Sequence, residues 1–225
     1  MKQILRLKIV PLFFLIQLFS CAQTTNQSNQ PKQATPPDGK TTSKNKTMTT
    51  DTAVFGAGCF WCVEAIYQQV NGVIKVESGY AGGSVVNPTY KQVCTGTTGH
   101  AEVTRILFDP QKVSFEQLLE VFFKVHDPTT LNRQGEDVGT QYRSAIFYTS
   151  PQQKEIAEKV KKALNEGGAF EKPIVTEITA FTNFFKAEDY HQDYYNLHGE
   201  QPYCKFVIQP KVEKFEKVFK KLLAK

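Results

Sequence analysis

The chain has 225 residues, 40% of them hydrophobic and 22% charged, with a formal net charge of +5. That is enough for one sizeable domain and an appendage at the front. The charge gives no sign of a nucleic-acid surface on the folded part: residues 1–21 carry three cations and no acid, residues 22–50 carry a further net +3, and the remainder is left at −1.

Lys2, Arg6 and Lys8 precede an apolar run over 9–19 that only Pro11 and Gln17 interrupt. The run is too short and too broken to span a membrane, and it has the charged and apolar regions of a secretory signal, read over 1–20. It ends in Leu18-Phe19-Ser20-Cys21, which resembles the lipobox of bacterial lipoproteins and implies lipidation of Cys21, although Phe19 is an unusual occupant of its position. Residues 21–50 are mostly Thr, Gln, Asn, Ser, Pro and Lys, with almost nothing to bury, and read as a disordered tether. The expected location is the bacterial cell envelope, with the domain anchored to a membrane by lipid and facing the periplasm or exterior.

The domain occupies 51–225. A short strand over 53–55 leads into Gly56-Ala57-Gly58, and a helix follows Cys59 as far as residue 69, with Asn71-Gly72 supplying the left-handed stop. A strand over 73–78 precedes a glycine-rich loop over 79–88, in which Asn87-Pro88-Thr89-Tyr90 forms a turn that presents an aromatic. Another strand covers 102–108. Ser114 and Gln117 make a capping box for a helix to residue 125. A strand over 143–149 and a helix from Ser150-Pro151 to Gly167-Gly168 come next. Residues 174–181 alternate as a strand, 187–195 read as helical, and 211–223 place Val212, Phe215, Val218, Phe219 and Leu222 on one helical face. Because several strands are joined by long loops rather than helices, the pattern predicts an α+β sandwich with a mixed sheet.

Five cysteines are present. Cys21 belongs to the appendage, which leaves Cys59, Cys62, Cys94 and Cys204. Cys59 opens a helix, among unpaired backbone N–H groups and the positive end of the helix dipole, a setting that favours the thiolate. Cys62 completes a Cys-x-x-Cys pair. Phe60 and Trp61, the chain's single tryptophan, can wall an apolar pocket beside the sulfur. Cys94 follows a strand-like Val93 and reads as a buried structural thiol. His100 and His191 read as positioning residues, and His126 and His198 as helix-end residues.

Gly58-Cys59-Phe60-Trp61, Asn87-Pro88-Thr89-Tyr90, Thr98-Gly99-His100-Ala101-Glu102 and Gly139-Thr140-Gln141-Tyr142-Arg143-Ser144 resemble the A-type peptide methionine sulfoxide reductases. The resemblance continues through Ala187-Glu188-Asp189-Tyr190-His191-Gln192 and Gln201-Pro202-Tyr203-Cys204, with the motifs in the family's order. It implies a two-layer α+β sandwich with a central mixed sheet and a ferredoxin-like core with long glycine-rich loops. It also implies reduction of the S epimer of methionine sulfoxide, free or in proteins, as a repair reaction. Cys59 would attack the sulfoxide sulfur and Glu102 would donate the proton. Tyr90 and Tyr142 would point hydroxyls at the oxygen, Phe60 and Trp61 would accept the methyl group, and Asp137 and Tyr194 would shape the pocket. The sulfenic acid left on Cys59 would condense with a second thiol. Cys204 is favoured for that role, in the C-terminal segment where the family often keeps its recycling cysteine. Cys62 is the alternative, at a position where the family commonly has glycine. A thioredoxin or thioredoxin-like protein would reduce the disulfide.

Two other readings compete. A thioredoxin-like oxidoreductase built on Cys59-Phe60-Trp61-Cys62 leaves the Thr-Gly-His-Ala-Glu and Gly-Thr-Gln-Tyr-Arg segments unexplained. A structural zinc site usually pairs two close ligand doublets, and only one doublet exists here. The expectation is an enzyme that uses no cofactor and no metal, and, separately, a monomer.

Overall fold

The computed structural model describes residues 49–224. The signal at 1–20, Cys21 and the tether as far as residue 48 lie outside the described residues.

In chain order the elements are β1 (Asp51–Ala57), α1 (Phe60–Tyr67), β2 (Val73–Ala81), α2 (Tyr90–Cys94), β3 (Ala101–Phe108), α3 (Phe115–Val125), β4 (Arg133–Gln134), β5 (Asp137–Val138), β6 (Ser144–Tyr148), α4 (Pro151–Glu166), β7 (Glu177–Ala180), β8 (Phe185–Lys186), α5 (Tyr194–His198) and α6 (Gln209–Val218). Six strands form one sheet in the order β7-β6-β1-β3-β2-β8, and β4 and β5 form a small hairpin. Only β6 and β7 pair in parallel, through the α4 crossover, so the sheet is mixed, as α+β patterning predicts.

The two-residue period of the strands sorts the side chains onto two faces. Ala53, Phe55 and Ala57 of β1, Ile106 and Phe108 of β3 and Ile146 of β6 join the large core with residues of α1, α3, α4 and α6. The alternate residues of these strands, Val54, Val103, Ala145 and Phe147, form a smaller cluster on the opposite face, covered by Phe181 and Phe184. Glu102 shares parity with Ile106 and Phe108 and so faces the helices. The capping box predicted for α3 is present: Ser114 accepts the Gln117 N–H at 3.2 Å and Gln117 accepts the Ser114 N–H at 2.9 Å, a device worth about 1 kcal/mol.

Several predicted boundaries move. The strand expected over 73–78 continues to Ala81, because Gly79, Tyr80 and Ala81 pair with Val103, Glu102 and Ala101; the loop starts only at Gly82. The segment over 187–195 is a 3-10 turn at Asp189–His191 and the separate short helix α5, broken where Asp193 takes φ +54°. The C-terminal helix begins at Gln209 after a π-helical turn, Cys204–Ile208, and ends at Val218. Val212, Phe215 and Phe219 are buried as predicted, whereas Val218 is 48% exposed because the regular helix stops there and the next residues turn back.

Candidate active site

The site lies at one end of the sheet, where β1 ends and both β3 and β6 begin. Ala57 pairs with Ser144, and continuing the β1–β3 register of Phe55 opposite Thr104 by two residues sets Ala57 opposite Glu102. Gly58 then turns the chain with φ +89°, and a Cβ there would sit 2.6 Å from Cγ of Gln134, so only glycine fits. Cys59 follows as the N-cap of α1, its side chain making no cap hydrogen bond.

Glu102 takes the helix-start donor that a thiolate would otherwise use. The Phe60 N–H donates to Glu102 Oε2 at 3.0 Å, while Oε1, fully buried, has no hydrogen-bond partner. Burial pushes this carboxyl up to about 8, against the pull of the Phe60 N–H, with Asp137 and Cys62 adding repulsion. Glu102 is therefore mostly protonated at neutral pH. Since Oε2 accepts the backbone N–H, the proton belongs on Oε1, the free oxygen.

Aromatic residues close around this pair. Trp61 stacks on Tyr194 with centroids 3.7 Å apart and planes 6° apart, and Tyr203 meets Trp61 edge-on at 5.8 Å. Phe60 is buried, stacked against Tyr90 at 6.5 Å and packed on Tyr80 and His191. Burial raises the pKa of both Tyr90 and Tyr142, and Glu102 and the opposite tyrosine lie within electrostatic reach of Tyr90. Asp137 on β5 accepts the Tyr203 hydroxyl at 3.0 Å. The structure thus brings Cys59, Phe60, Trp61, Tyr90, Glu102, Asp137, Tyr142 and Tyr194 into one neighbourhood from separate parts of the chain.

The motif residues around them act as a frame. Glu188 accepts the Tyr80 hydroxyl and the Tyr90 N–H, both at 2.8 Å, and so fixes the start of α2. His191 Nδ1 accepts the Trp61 indole N–H at 3.1 Å. His100 accepts the Gly83 N–H and contacts the Val85 carbonyl, which holds the loop after β2. Arg143 donates to the carbonyls of Thr140 and Gly99 and to Glu177, tying the turn that carries Tyr142 to the approach to β3. The positioning roles expected for His100 and His191 therefore have named partners. His126 and His198 stand at helix ends as predicted.

The thiols depart from two expectations. Cys59 is not poised as a thiolate: burial pushes it well above the ordinary thiol value, contact with Cys62 and the nearby Glu102 push the same way, and the Tyr203 hydroxyl only partly opposes them. Loss of hydration outweighs the helix dipole, and Glu102 besides occupies the Phe60 N–H. Cys62 is instead the acidic thiol of the pair, brought down to about 7 by the Cys59 contact and by Lys211, whose Nζ is 3.4 Å from its sulfur. Cys94, expected to be buried, is exposed at the end of α2, where Val93 takes the inward position and the thiol contacts the Tyr90 hydroxyl. Cys204 is buried in the π-helical turn, within electrostatic reach of Cys62. All four are free thiols. Among the described residues, no group of three or more His, Cys, Asp or Glu side chains is arranged to hold a metal ion.

Sequence reasoning missed Tyr203, Glu188 and Lys211. The first two lie inside quoted motifs, so a signal existed. Lys211 is one of many C-terminal lysines, and nothing in its local sequence distinguishes it.

A family model described as peptide methionine sulfoxide reductase matches residues 51–223. The peptide methionine sulfoxide reductases MsrA of Nitratiruptor sp. and Trichodesmium erythraeum are 56% and 54% identical to this chain over 173 and 169 residues, covering 77% and 75% of it and 98% and 96% of their own lengths. Among solved structures, Mxr1 of Saccharomyces cerevisiae in reduced form matches with a TM-score of 0.63 and 34% identity, over 71% of this chain and 94% of that one. Methionine sulfoxide reductase A of Corynebacterium diphtheriae matches at 0.61 and 37%, over 68% and 77%. The matched region holds the whole described fold and every residue of the pocket, and the chain belongs to the peptide methionine sulfoxide reductase family, an enzyme that reduces methionine sulfoxide by thiol chemistry.

Proposed function

We propose that Cys59 is the nucleophile and Glu102 the acid in that reduction, acting on the S epimer. The observation that carries this is the joint placement of a buried thiol and a protonated carboxyl whose one free oxygen has no partner. The sulfoxide oxygen takes the proton from Oε1, with the Tyr90 and Tyr142 hydroxyls beside it, as Cys59 attacks the sulfur. The substrate sulfur gains two electrons and departs as methionine, the oxygen passes to Cys59 as a sulfenic acid, and the proton lost by the Cys59 thiol replaces the one Glu102 gave. Until it gives up its proton, the neutral Glu102 does not repel the thiolate forming on Cys59. Trp61, steadied by the Tyr194 stack and the His191 contact, offers the apolar wall for the methyl group with Phe60 behind it. Selection of one epimer follows from placing that wall opposite the polar one formed by Glu102 and the tyrosines.

A second thiol, Cys62 or Cys204, converts the sulfenic acid to a disulfide, and a thioredoxin-like dithiol returns the enzyme to its reduced form. Both free methionine sulfoxide and oxidised proteins are within the reading. The strand order β6-β1-β3-β2, with α1 and α3 as connections, supports a ferredoxin-like core. The basic, apolar leader ending at Cys21 supports export and lipid anchoring at the cell envelope.

The test is a single turnover without reductant, run separately on the two epimers. The wild type should release methionine only from the S epimer, and Cys59→Ser should release none. Release by Cys59→Ser, or equal use of both epimers, would sink the assignment.

A further inference from the structure

We propose that Lys211 is a positioning residue for the resolving step, holding Cys62 as the thiolate that captures the Cys59 sulfenic acid, with Cys204 receiving the disulfide afterwards. This rests on Cys59 being the nucleophile and goes beyond it. On the family pattern Cys204 is the favoured resolver, but the geometry here favours a different first partner.

Three observations carry the proposal. First, Cys59 and Cys62 are in side-chain contact, and the Cys62 N–H donates to the Cys59 carbonyl at 3.1 Å. Residues three apart on a helix have Cβ atoms about 5–6 Å apart, within small movement of the roughly 4 Å a disulfide needs. Secondly, Lys211 reaches from the first turn of α6 to place its ammonium 3.4 Å from the Cys62 sulfur. Thirdly, Cys204, buried in the π-helical turn, has Cys62 within electrostatic reach, whereas the thiol in contact with Cys59 is Cys62. Exchange through Cys62 therefore follows the order in which the thiols are placed.

The charged and titratable groups facing Cys62 come from several elements. Cys59 lies on its own helix start, Glu102 on β3, Asp137 on β5, Tyr203 and Cys204 before and within the π-helical turn, and Lys211 on α6. Asp137 opposes ionisation of Cys62, while Cys59 and Lys211 favour it. After turnover Cys59 is a sulfenic acid and no longer offers its S–H. Lys211 is then the cation that persists beside Cys62. The Cys62 thiolate attacks the Cys59 sulfur, an S–S bond forms, the S–OH bond breaks, and hydroxide leaves as water with the proton that Cys62 gave up. Cys62 is oxidised as the Cys59 sulfur is reduced, so no external oxidant or reductant is needed.

The experiment follows one turnover of the full chain with S-methionine sulfoxide, quenching for released methionine, for disulfide formed and for its location by peptide mapping. The wild type should give a Cys59–Cys62 bond first. Removing the ammonium in Lys211→Met withdraws the charge that favours the Cys62 thiolate once the Cys59 S–H is gone, so disulfide formation at pH 7 should slow by about three-fold or more. The midpoint of the resolution rate should move to higher pH, and near pH 9 the variant should equal or exceed the wild type. Lys211→Arg should restore the wild-type profile, and Lys214→Met, on the exposed side of α6, should leave it unchanged. A first bond between Cys59 and Cys204, or an unaltered pH profile in Lys211→Met together with Lys211→Arg, would overturn the proposal. Absence of a methionine burst in the wild type would instead overturn the assignment of Cys59, so the two failures are distinguishable.

Discussion

Replacing Glu102 by glutamine should slow the enzyme and stabilise it at once. Glutamine reproduces the protonated carboxyl: its carbonyl can accept the Phe60 N–H that Oε2 now accepts, and its amide stands where Oε1 has no partner. It cannot give a proton to the sulfoxide oxygen, so the chemical step should fall by roughly 10²–10⁴. The stability change follows from linkage. The ordinary carboxyl value is 4.5 and the folded value about 8. Between these, the unfolded chain ionises and the folded one does not, so the wild type loses stability as pH rises from 4.5 to 8 and holds its full share only below 4.5. At 1.36 kcal/mol per pH unit, keeping Glu102 protonated costs about 3 kcal/mol at pH 7 and under about 1 kcal/mol at pH 5. Glu102→Gln is free of that cost, so its advantage in urea unfolding should be small at pH 5 and large at pH 7. Rapid-quench single turnovers from pH 6 to 9 should show the wild-type rate falling as pH passes about 8, as the acid is lost, and no such limb in the variant. An unchanged rate at pH 7, or the same alkaline limb in Glu102→Gln, would refute the assignment of the proton to Glu102.

Three further outcomes can be checked. Tyr203→Phe removes the hydroxyl that lowers the Cys59 value, so the first turnover should slow about ten-fold at pH 7 with its dependence on thiolate shifted upward; a rate equal to wild type would remove Tyr203 from the chemistry. Gly58→Ala places a side chain at φ +89° against Gln134 and should cost about 1–3 kcal/mol in denaturant unfolding; unchanged stability would contradict the strained turn before Cys59. If the leader is processed at Cys21, the full chain expressed in bacteria should partition into the detergent phase and Cys21→Ala should release it. Recovery of an uncleaved chain in the aqueous phase would contradict export.

Much of this protein was legible without coordinates because the physics concerned is local. The Ser114 and Gln117 capping box and the Gly167-Gly168 stop of α4 depend on neighbours within a few residues, and each appears where the pattern predicts. Motif resemblance carried the sequence reading further, to the residues that now line one pocket. Tertiary structure decided what depends on surroundings. The dipole at the start of α1 is a local property that argues for a Cys59 thiolate, yet burial and Glu102, 43 residues away, reverse it by stripping solvent and taking the Phe60 N–H. Cys94 turns outward because α2 spends its inward position on Val93. The acidity of Cys62 comes from its contact with Cys59 and from Lys211, 149 residues further along. A charge acts through distance and dielectric rather than through sequence separation, so the sequence can show which thiols exist, and only the packing of α6 against α1 selects the one that ionises.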